Sequence, residues 1–257
     1  QRVNIFGYSG APGGTQNVGL LDQRMAVEWA RDNIKGFGGD PERITIFGQS
    51  AGGTSVDYYS YAYPQDPIVA GLISHSGTAL SFNPNMPNMS ATYWYQASSL
   101  LGCGDSGNNL DCMRNINFTD ILRAIARIPP ASSQALLQPV FHPTVDNKIV
   151  FGDYATLSSN GSFAKLPYLA GNLDYEAGYY KLSAYASNRT LTSAQWDLFN
   201  LAGFTCPTAT ETASRVKHGI PTWRYRYFGD WPNLRLYDGS RAYHGSELEM
   251  VFGTAED

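Results

Sequence analysis

The chain has 257 residues, of which 43% are hydrophobic and 16% are charged, and its formal net charge is −4. This length suits one large domain or two small ones, and the apolar content is enough for a sizeable core. Because the charge balance is acidic and no basic patch stands out, the composition argues against a nucleic-acid partner. No apolar run approaches the ~20 residues of a membrane-spanning helix, so we expect no transmembrane segment.

The first 74 residues alternate between short strand-like runs and helical patterns. Arg2–Phe6 predicts a strand, and Asn17 is a favourable N-cap for a helix that runs to about Ile34. Strands are predicted again at Arg43–Phe47 and Val69–Ser74, with a second helix between them. This alternation predicts a mostly parallel central sheet with helices on both faces, which is an α/β fold.

A Gly-x-Ser-x-Gly pattern follows the strand Arg43–Phe47 and carries Ser50 between Gly48 and Gly52. In a nucleophile elbow, a strand turns sharply into a helix and presents a strained serine at the turn. The glycines two positions before and after the serine are expected to give the two elements room to approach each other. The pentapeptide alone is a weak signal, but the strand before it and the small residues after it strengthen it. Ser50 is therefore a candidate nucleophile.

Residues 83–165 differ from the rest of the chain. Loops rich in Pro and Asn alternate there with short amphipathic helices, predicted near residues 92–101 and 118–127. We expect this stretch to be a cap-like insertion, rich in helices and loops, in a single α/β domain that comprises the whole chain. The sheet is predicted to resume at Lys165–Ala170 and to end with a strand at Trp223–Phe228.

Two of the three cysteines, Cys103 and Cys112, flank a short polar loop that a disulfide closes easily. No histidine or third cysteine lies close enough in sequence to suggest zinc. Cys206 is left over, either as a buried free thiol or as half of a bridge whose partner lies outside this chain. N-glycosylation sequons begin at four asparagines: Asn88, Asn117, Asn160 and Asn188. Together the cysteine loop and the sequons favour a secreted, extracellular protein.

A nucleophilic serine needs a histidine, and the α/β-hydrolase order is serine, acid, histidine, with each residue just past the end of a strand. His244 follows the strand Trp223–Phe228 and is the candidate base, with a structural role as the alternative. His218 precedes that strand and lies at a predicted helix end, where the helix dipole alone explains a cation.

The acid is expected after the strand Lys165–Ala170, and two candidates follow it: Asp174 and Glu176. Position alone does not separate them, and either can be an ordinary acidic residue of a turn. Asp146 is a third acid, but it precedes the strand that should carry the triad member.

Several segments, in their order along the chain, resemble the type B carboxylesterase/lipase family, the cholinesterase-like branch of the α/β-hydrolases. They are Asn17–Arg24, Phe37–Pro41, Phe47–Gly53, Ser74–Gly77, Gly171–Gly178, Tyr243–Glu247 and Val251–Gly253. The acid loop of that family carries a glutamate, so the resemblance favours Glu176 over Asp174. The pair Cys103 and Cys112 matches a disulfide loop of the family. The resemblance covers almost the whole chain.

The resemblance implies two-step acyl transfer, in which Ser50 attacks an ester carbonyl and forms an acyl-enzyme. His244 acts as the base, and Glu176 orients and stabilises the imidazole. The backbone N–H of Ala51 supplies one donor of the oxyanion hole. No metal or cofactor is expected, and the expected partner is a small-molecule or lipid ester substrate.

The sequence departs from the family pattern in two respects. The His-Gly-Gly oxyanion loop lies upstream of the strand predicted at Arg2–Phe6 and is absent, and the chain stops soon after the histidine loop. We therefore expect a central fragment of a secreted member, incomplete at both ends. Gln49 precedes Ser50 where many cholinesterase-like members have a glutamate for a cationic substrate, so a neutral ester is expected. The alternatives are a catalytically inactive fragment and a non-catalytic adhesion-type relative.

Overall fold

The protein is described by a computed structural model over residues 1–130 and 138–255. The chain divides into two compact units. Unit 1 comprises Gln1–Trp29 and Pro84–Gly152, and unit 2 comprises Ala30–Asn83 and the chain from Asp153 onward. The insertion expected over residues 83–165 overlaps the second part of unit 1. A single domain for the whole chain stays a prediction.

The secondary structure follows the chain as helices and short parallel strands. In chain order the α-helices are α1 (Asn4–Gly7), α2 (Val18–Asn33), α3 (Ala51–Ala62), α4 (Pro87–Leu100), α5 (Leu110–Arg114), α6 (Phe118–Ile125), α7 (Tyr154–Ser159), α8 (Ala177–Ala186), α9 (Ser193–Asn200), α10 (Cys206–Lys217) and α11 (Leu248–Phe252). Short 3₁₀ helices lie at Ile34–Phe37, Pro41–Arg43 and Pro232–Leu234, and a π-helical segment at Leu201–Thr205 joins α9 to α10.

Unit 2 contains the sheet, which has four strands in the described part of the chain. In spatial order they are β1 (Thr45–Gln49), β2 (Gly71–His75), β3 (Tyr168–Leu173) and β4 (Thr222–Tyr227), and every neighbouring pair is parallel. The four strands predicted from residue 43 onward are confirmed, with ends displaced by one to three residues. Because parallel strands end at the same edge of a sheet, the loops after β1, β3 and β4 can meet there.

The strand predicted at Arg2–Phe6 is wrong, because Asn4–Gly7 forms a single helical turn. The N–H of Gly7 donates to the carbonyl of Val3 at 3.1 Å, so this backbone donor is satisfied inside the turn. A run of five residues with three apolar side chains does not by itself separate a strand from a short helix.

Asn17 precedes α2 as predicted, but its side chain does not cap the helix. Its φ is 53°, and its amide donates to the carbonyl of Thr144 at 2.7 Å and accepts from the N–H of Thr144 at 2.8 Å. The same amide nitrogen lies 2.8 Å from a carboxylate oxygen of Asp146. This buried side chain therefore ties together distant parts of unit 1, which its N-cap pattern does not reveal.

Unit 1 is helical and has its own apolar core. Ile5, Trp94, Ile121 and Phe141 are among the buried members of that core. Residues that pack against it include Cys103, whose predicted disulfide to Cys112 is confirmed. The disulfide closes the loop between α4 and α5 next to the core.

The surface carries the features expected of a secreted chain. The four sequon asparagines are all exposed: Asn88, Asn117, Asn160 and Asn188. Cys206 is a free, exposed cysteine, so the alternative of a buried thiol is wrong. In the described ranges no helix combines the length and the apolar character that crossing a membrane requires.

Candidate active site

Ser50 occupies the sharp turn between β1 and α3. Its φ is 59° and its ψ is −121°, a backbone conformation that is strained for any residue with a side chain. The N–H of Ser50 donates to the carbonyl of His75 at 2.8 Å, and the carbonyl of Ser50 accepts from the N–H of Thr54 at 3.0 Å. These bonds hold the turn between the end of β2 and the first turn of α3. The predicted strand–turn–helix arrangement around the serine is therefore present.

The backbone packs so closely around this turn that positions 48 and 53 have no room for a side chain. A Cβ on Gly48 would lie 2.3 Å from the carbonyl carbon of Gly52, and a Cβ on Gly53 would lie 2.8 Å from the carbonyl oxygen of His75. A Cβ on Gly52 would meet no described atom within 4 Å apart from its chain neighbours and the backbone of its own helix. The expectation that the second glycine of the pentapeptide makes room is therefore wrong, since its neighbour Gly53 has that role.

His244 links Ser50 to Glu176. The hydroxyl of Ser50 donates to Nε2 of His244 at 2.7 Å, and Nδ1 of His244 donates to Oε2 of Glu176 at 2.6 Å. Glu176 is fully buried and His244 is 8% exposed, so the contact between them lies in surroundings of low dielectric constant, where hydrogen bonds are strong. The contact between Ser50 and His244 is only partly buried. Since a carboxylate only accepts, Nδ1 carries the ring proton and Nε2 remains free to take the proton of Ser50.

The carboxylate of Glu176 is held on its other oxygen as well. Oε1 accepts from the hydroxyl of Ser76 at 2.7 Å and from the N–H of Leu173 at 2.7 Å. Donors from the ends of β2 and β3 therefore orient the acid toward His244. Ser76 lies in the segment Ser74–Gly77 of the family resemblance, but sequence reasoning assigned it no role, because no local pattern reveals its partner.

The two other candidate acids have different partners. Asp174 binds the guanidinium of Arg226 at 2.9 Å and also that of Arg241. It therefore ties the acid turn to β4 and to the residues before His244. Asp146 lies in unit 1, where burial raises the pKa of its carboxyl but backbone hydrogen bonds outweigh that effect and lower it.

Ala51 and Gln49 flank the nucleophile. Ala51 is the first residue of α3, so its N–H has no acceptor within the helix and is available to an oxyanion. The side-chain amide nitrogen of Gln49 lies 3.2 Å from Nε2 of His244. The imidazole nitrogen that contacts Ser50 is therefore also in contact with an uncharged amide. Among the described residues, no three His, Cys, Asp or Glu side chains form a group that could hold a metal ion.

Aromatic rings surround the imidazole of His244. The ring centroids of Tyr180 and Phe204 each lie 5.1 Å from that of His244. Phe204 is fully buried and belongs to the π-helical segment, a local widening of the helix that often occurs at functional sites. Burial raises the pKa of Tyr180, and an interaction of its hydroxyl with Ser50 lowers it by a smaller amount. Tyr180 and Phe204 were not predicted as neighbours of His244, because the local sequence around an aromatic residue does not show which ring it will contact in the fold.

Known proteins resemble this chain over nearly its whole length. The carboxylesterase family model matches residues 1–197. The chain is 39% identical over 257 residues to "Chlorogenic acid esterase" from Aspergillus niger, covering 98% of this chain and 48% of that protein. It is 36% identical over 274 residues to "Secreted lipase 5" from Gibberella zeae, covering 99% of this chain and 51% of that protein.

A solved structure gives the same result for the fold. The chain matches "PNB esterase" with a TM-score of 0.78 and 25% sequence identity, over 98% of this chain and 58% of that one. The chain spans about half the length of the curated relatives it matches. The α/β-hydrolase fold expected from the sequence is thereby confirmed, and the chain belongs to the carboxylesterase family.

Proposed function

We propose that this chain carries the catalytic centre of a serine carboxylic ester hydrolase that acts on neutral esters through an acyl-enzyme. The observation that carries the proposal is the continuous hydrogen-bond path from Ser50 through His244 to Glu176. A serine hydroxyl, a buried imidazole and a buried carboxylate in this order form the arrangement that activates a serine for acyl transfer.

Each step uses a group of this chain. Ser50 Oγ attacks the ester carbonyl while its proton moves to Nε2 of His244, and Glu176 stabilises the imidazolium that forms. The N–H of Ala51 donates to the developing oxyanion. His244 then gives the proton to the departing alkoxide, which leaves as an alcohol, and the acyl group remains on Ser50. In the second half, His244 takes a proton from water while the water oxygen attacks the acyl carbonyl. The bond to Ser50 Oγ then breaks, the acid leaves, and His244 returns the proton to Ser50 Oγ.

The proposed substrate is a neutral small-molecule or lipid ester. Gln49 supports a neutral substrate, because the residue before the nucleophile brings an amide rather than a carboxylate to the site. The relatives' names, an esterase and a lipase, support the ester class. We expect no nucleic-acid partner, given the acidic net charge of −4.

The proposed compartment is extracellular. The disulfide Cys103–Cys112, the four exposed sequon asparagines and a relative named a secreted lipase support it. The proposal includes glycans at those four positions: Asn88, Asn117, Asn160 and Asn188. Secretion from a eukaryotic host followed by enzymatic deglycosylation tests it, since a mass loss is expected and an unmodified, retained chain contradicts it.

Hydrolysis of p-nitrophenyl butyrate tests the activity. Ser50→Ala is expected to abolish turnover, whereas the matched control Ser55→Ala leaves it, because the Ser55 hydroxyl binds only the carbonyl of Ala51 one turn away in α3. Absence of Ser50-dependent turnover, or turnover that persists in Ser50→Ala, contradicts the proposal.

A further inference from the structure

A row of residues in register crosses the sheet of unit 2 near the carboxyl ends of its strands. From β1 to β4 the row consists of Gln49, His75, Gly171 and Tyr225. Residues that lie side by side on neighbouring strands point to the same face of a sheet. The side chains of His75 and Tyr225 therefore share one face, with only a glycine on the strand between them.

A hydrogen bond joins these two side chains across β3. The hydroxyl of Tyr225 lies 2.5 Å from Nδ1 of His75. A side chain at position 171 would occupy the place of the tyrosine ring, since a Cβ on Gly171 would lie 2.2 Å from Cε1 of that ring. Burial lowers the pKa of His75 and raises that of Tyr225, so both groups are uncharged near neutral pH. The contact is thus a neutral hydrogen bond that depends on the missing side chain at position 171.

The backbone beside His75 supports both ends of the proposed triad. The carbonyl of His75 accepts from the N–H of Ser50 at 2.8 Å, and the hydroxyl of Ser76 donates to Oε1 of Glu176 at 2.7 Å. Ser76 has a φ of 51°, which is strained for a residue with a side chain. Strained backbone persists only where the surrounding contacts fix it. A group that fixes His75 therefore also stabilises the supports of Ser50 and Glu176.

We propose that Tyr225 is a positioning residue that acts through His75. Its hydroxyl fixes the imidazole of His75, and the strained segment that follows β2 then keeps Ser50 and Glu176 at the distances that proton transfer needs. The catalytic consequence rests on the proposed ester hydrolase function. Without the hydroxyl, residues 75 and 76 can relax, and a small displacement of reacting groups slows the chemical step.

Amide hydrogen exchange of the full chain, followed by NMR, tests the first part of the proposal. Tyr225→Phe removes the hydroxyl and keeps the ring. The matched control is Tyr227→Phe on the same strand, because the hydroxyl of Tyr227 accepts from the indole N–H of Trp231 at 3.1 Å. The N–H of Ser50 is expected to exchange about fivefold to tenfold faster in Tyr225→Phe and at an unchanged rate in Tyr227→Phe. Unchanged exchange at Ser50 in Tyr225→Phe, or equal acceleration throughout unit 2, overturns the proposal.

Two substitutions of His75 separate the hydrogen bond from ring packing. The side-chain amide of asparagine can take the place of Nδ1, whereas that of glutamine reaches the place of Nε2. We expect His75→Asn to retain most of the protection of the Ser50 N–H, and His75→Gln to behave like Tyr225→Phe. Equal effects of the two substitutions contradict the proposal, because a loss of ring packing does not depend on which nitrogen is replaced.

Fluorophosphonate labelling of Ser50 tests the catalytic consequence. A concentration series separates the maximal labelling rate from the half-saturating concentration. Tyr225→Phe is expected to lower the maximal rate about tenfold and to leave the half-saturating concentration unchanged. Faster exchange at Ser50 with an unchanged maximal rate, or a change in the half-saturating concentration alone, overturns the positioning role.

The exchange measurement requires no reaction. An unmodified chain that is not labelled therefore contradicts the proposed function, and the exchange rates then decide whether Tyr225 stabilises the Ser50 turn.

Discussion

His244 Nε2 lies 2.7 Å from Ser50 Oγ although 194 residues separate them in sequence. Ser50 follows β1 at one edge of the described sheet, and His244 lies in the loops after β4 at the other edge. Glu176 follows β3, which lies between them in the sheet order. The contact between Ser50 and His244 therefore depends on the positions of the loops that leave the carboxyl ends of these parallel strands. A test of this contact is a test of both the sheet order and the site.

The acid of the proposed triad can be identified by a matched pair of amide substitutions. Glu176→Gln is expected to lower Ser50 reactivity by about 10³ to 10⁴, because an amide at this position does not stabilise the imidazolium and favours the wrong tautomer. Asp174→Asn is expected to leave reactivity within about threefold, since its partners Arg226 and Arg241 are not part of the proposed reaction. Fluorophosphonate labelling rates measure both, and a larger loss in Asp174→Asn reverses the assignment.

Unit 2 contains a buried ion cluster that we expect to be essential for its stability. Arg215 contacts Asp57 at 2.6 Å and Glu211 at 2.9 Å, and all three side chains are fully buried. Removing one partner of a buried pair typically costs about 3 to 5 kcal/mol, because the remaining charge loses its partner. Arg215→Met is therefore expected to lower the free energy of unfolding by that amount.

A surface ion pair provides the control for this measurement. Arg235 binds Asp230 at 2.8 Å, and both side chains are about one third exposed. Arg235→Met is expected to leave the urea unfolding midpoint nearly unchanged, since exposed ion pairs contribute little to stability. Equal effects of the two arginine substitutions contradict the role assigned to the buried cluster.

The same cluster predicts that stability decreases from acid to neutral pH. Burial raises the pKa of Glu211 to about 7 from 4.5; the charge of Asp57 raises it further, and that of Arg215 lowers it. The folded chain then retains a proton that the unfolded chain releases. This contribution is fully present below about pH 4.5 and is lost as the pH rises through about 7. We expect the free energy of unfolding to fall by on the order of 2 to 3 kcal/mol over that window.

Urea unfolding at a series of pH values measures this dependence. Glu211→Gln is expected to reduce the slope between pH 4.5 and 7, and the remaining slope is expected from Glu247, whose pKa is raised in the same direction to about 7. The exposed Glu42 offers a control, and Glu42→Gln should leave the slope unchanged. Stability that rises steadily from pH 4.5 to 7 in the unmodified chain is the contrary result.

The disulfide of unit 1 should stabilise it by restricting the unfolded chain. Cys103 and Cys112 are 9 residues apart, and closing a loop of this size contributes about 2 to 3 kcal/mol in the chain-entropy model. The double substitution of both cysteines by serine is expected to lower the unfolding midpoint. Cys206→Ser should not, because that thiol is exposed and free. An unchanged midpoint in the double variant contradicts this prediction.

The predicted residues Ser50, His244 and Glu176 contact one another in the structure, whereas the groups that hold Glu176 in place were not predicted. Ser50 and His244 were located from a local motif and from strand order, and only the family resemblance chose Glu176 over Asp174. The backbone donors and the Ser76 hydroxyl that hold Glu176 come from other strands, and local periodicity carries no information about such partners.

The wrong predictions also arise because local sequence patterns do not reveal distant contacts. Arg2–Phe6 is too short for its apolar pattern to separate strand from helix, and the N-cap assigned to Asn17 failed because a buried partner, Thr144, lies 127 residues away. Glu247 lies within the resembling segment Tyr243–Glu247, but its burial is a property of the folded loop and is not visible in the sequence. Composition likewise did not reveal the buried cluster around Arg215, since its members are far apart in sequence.

Covalent trapping of the nucleophile tests the central claim most directly. The chain is treated with a fluorophosphonate, digested, and its peptides are identified by mass spectrometry. We predict one adduct on the peptide that contains Ser50, strongly reduced in His244→Asn, absent in Ser50→Ala and retained in Ser55→Ala. An adduct on a different residue, or labelling that survives in Ser50→Ala at the same rate, contradicts the role of Ser50 as the nucleophile.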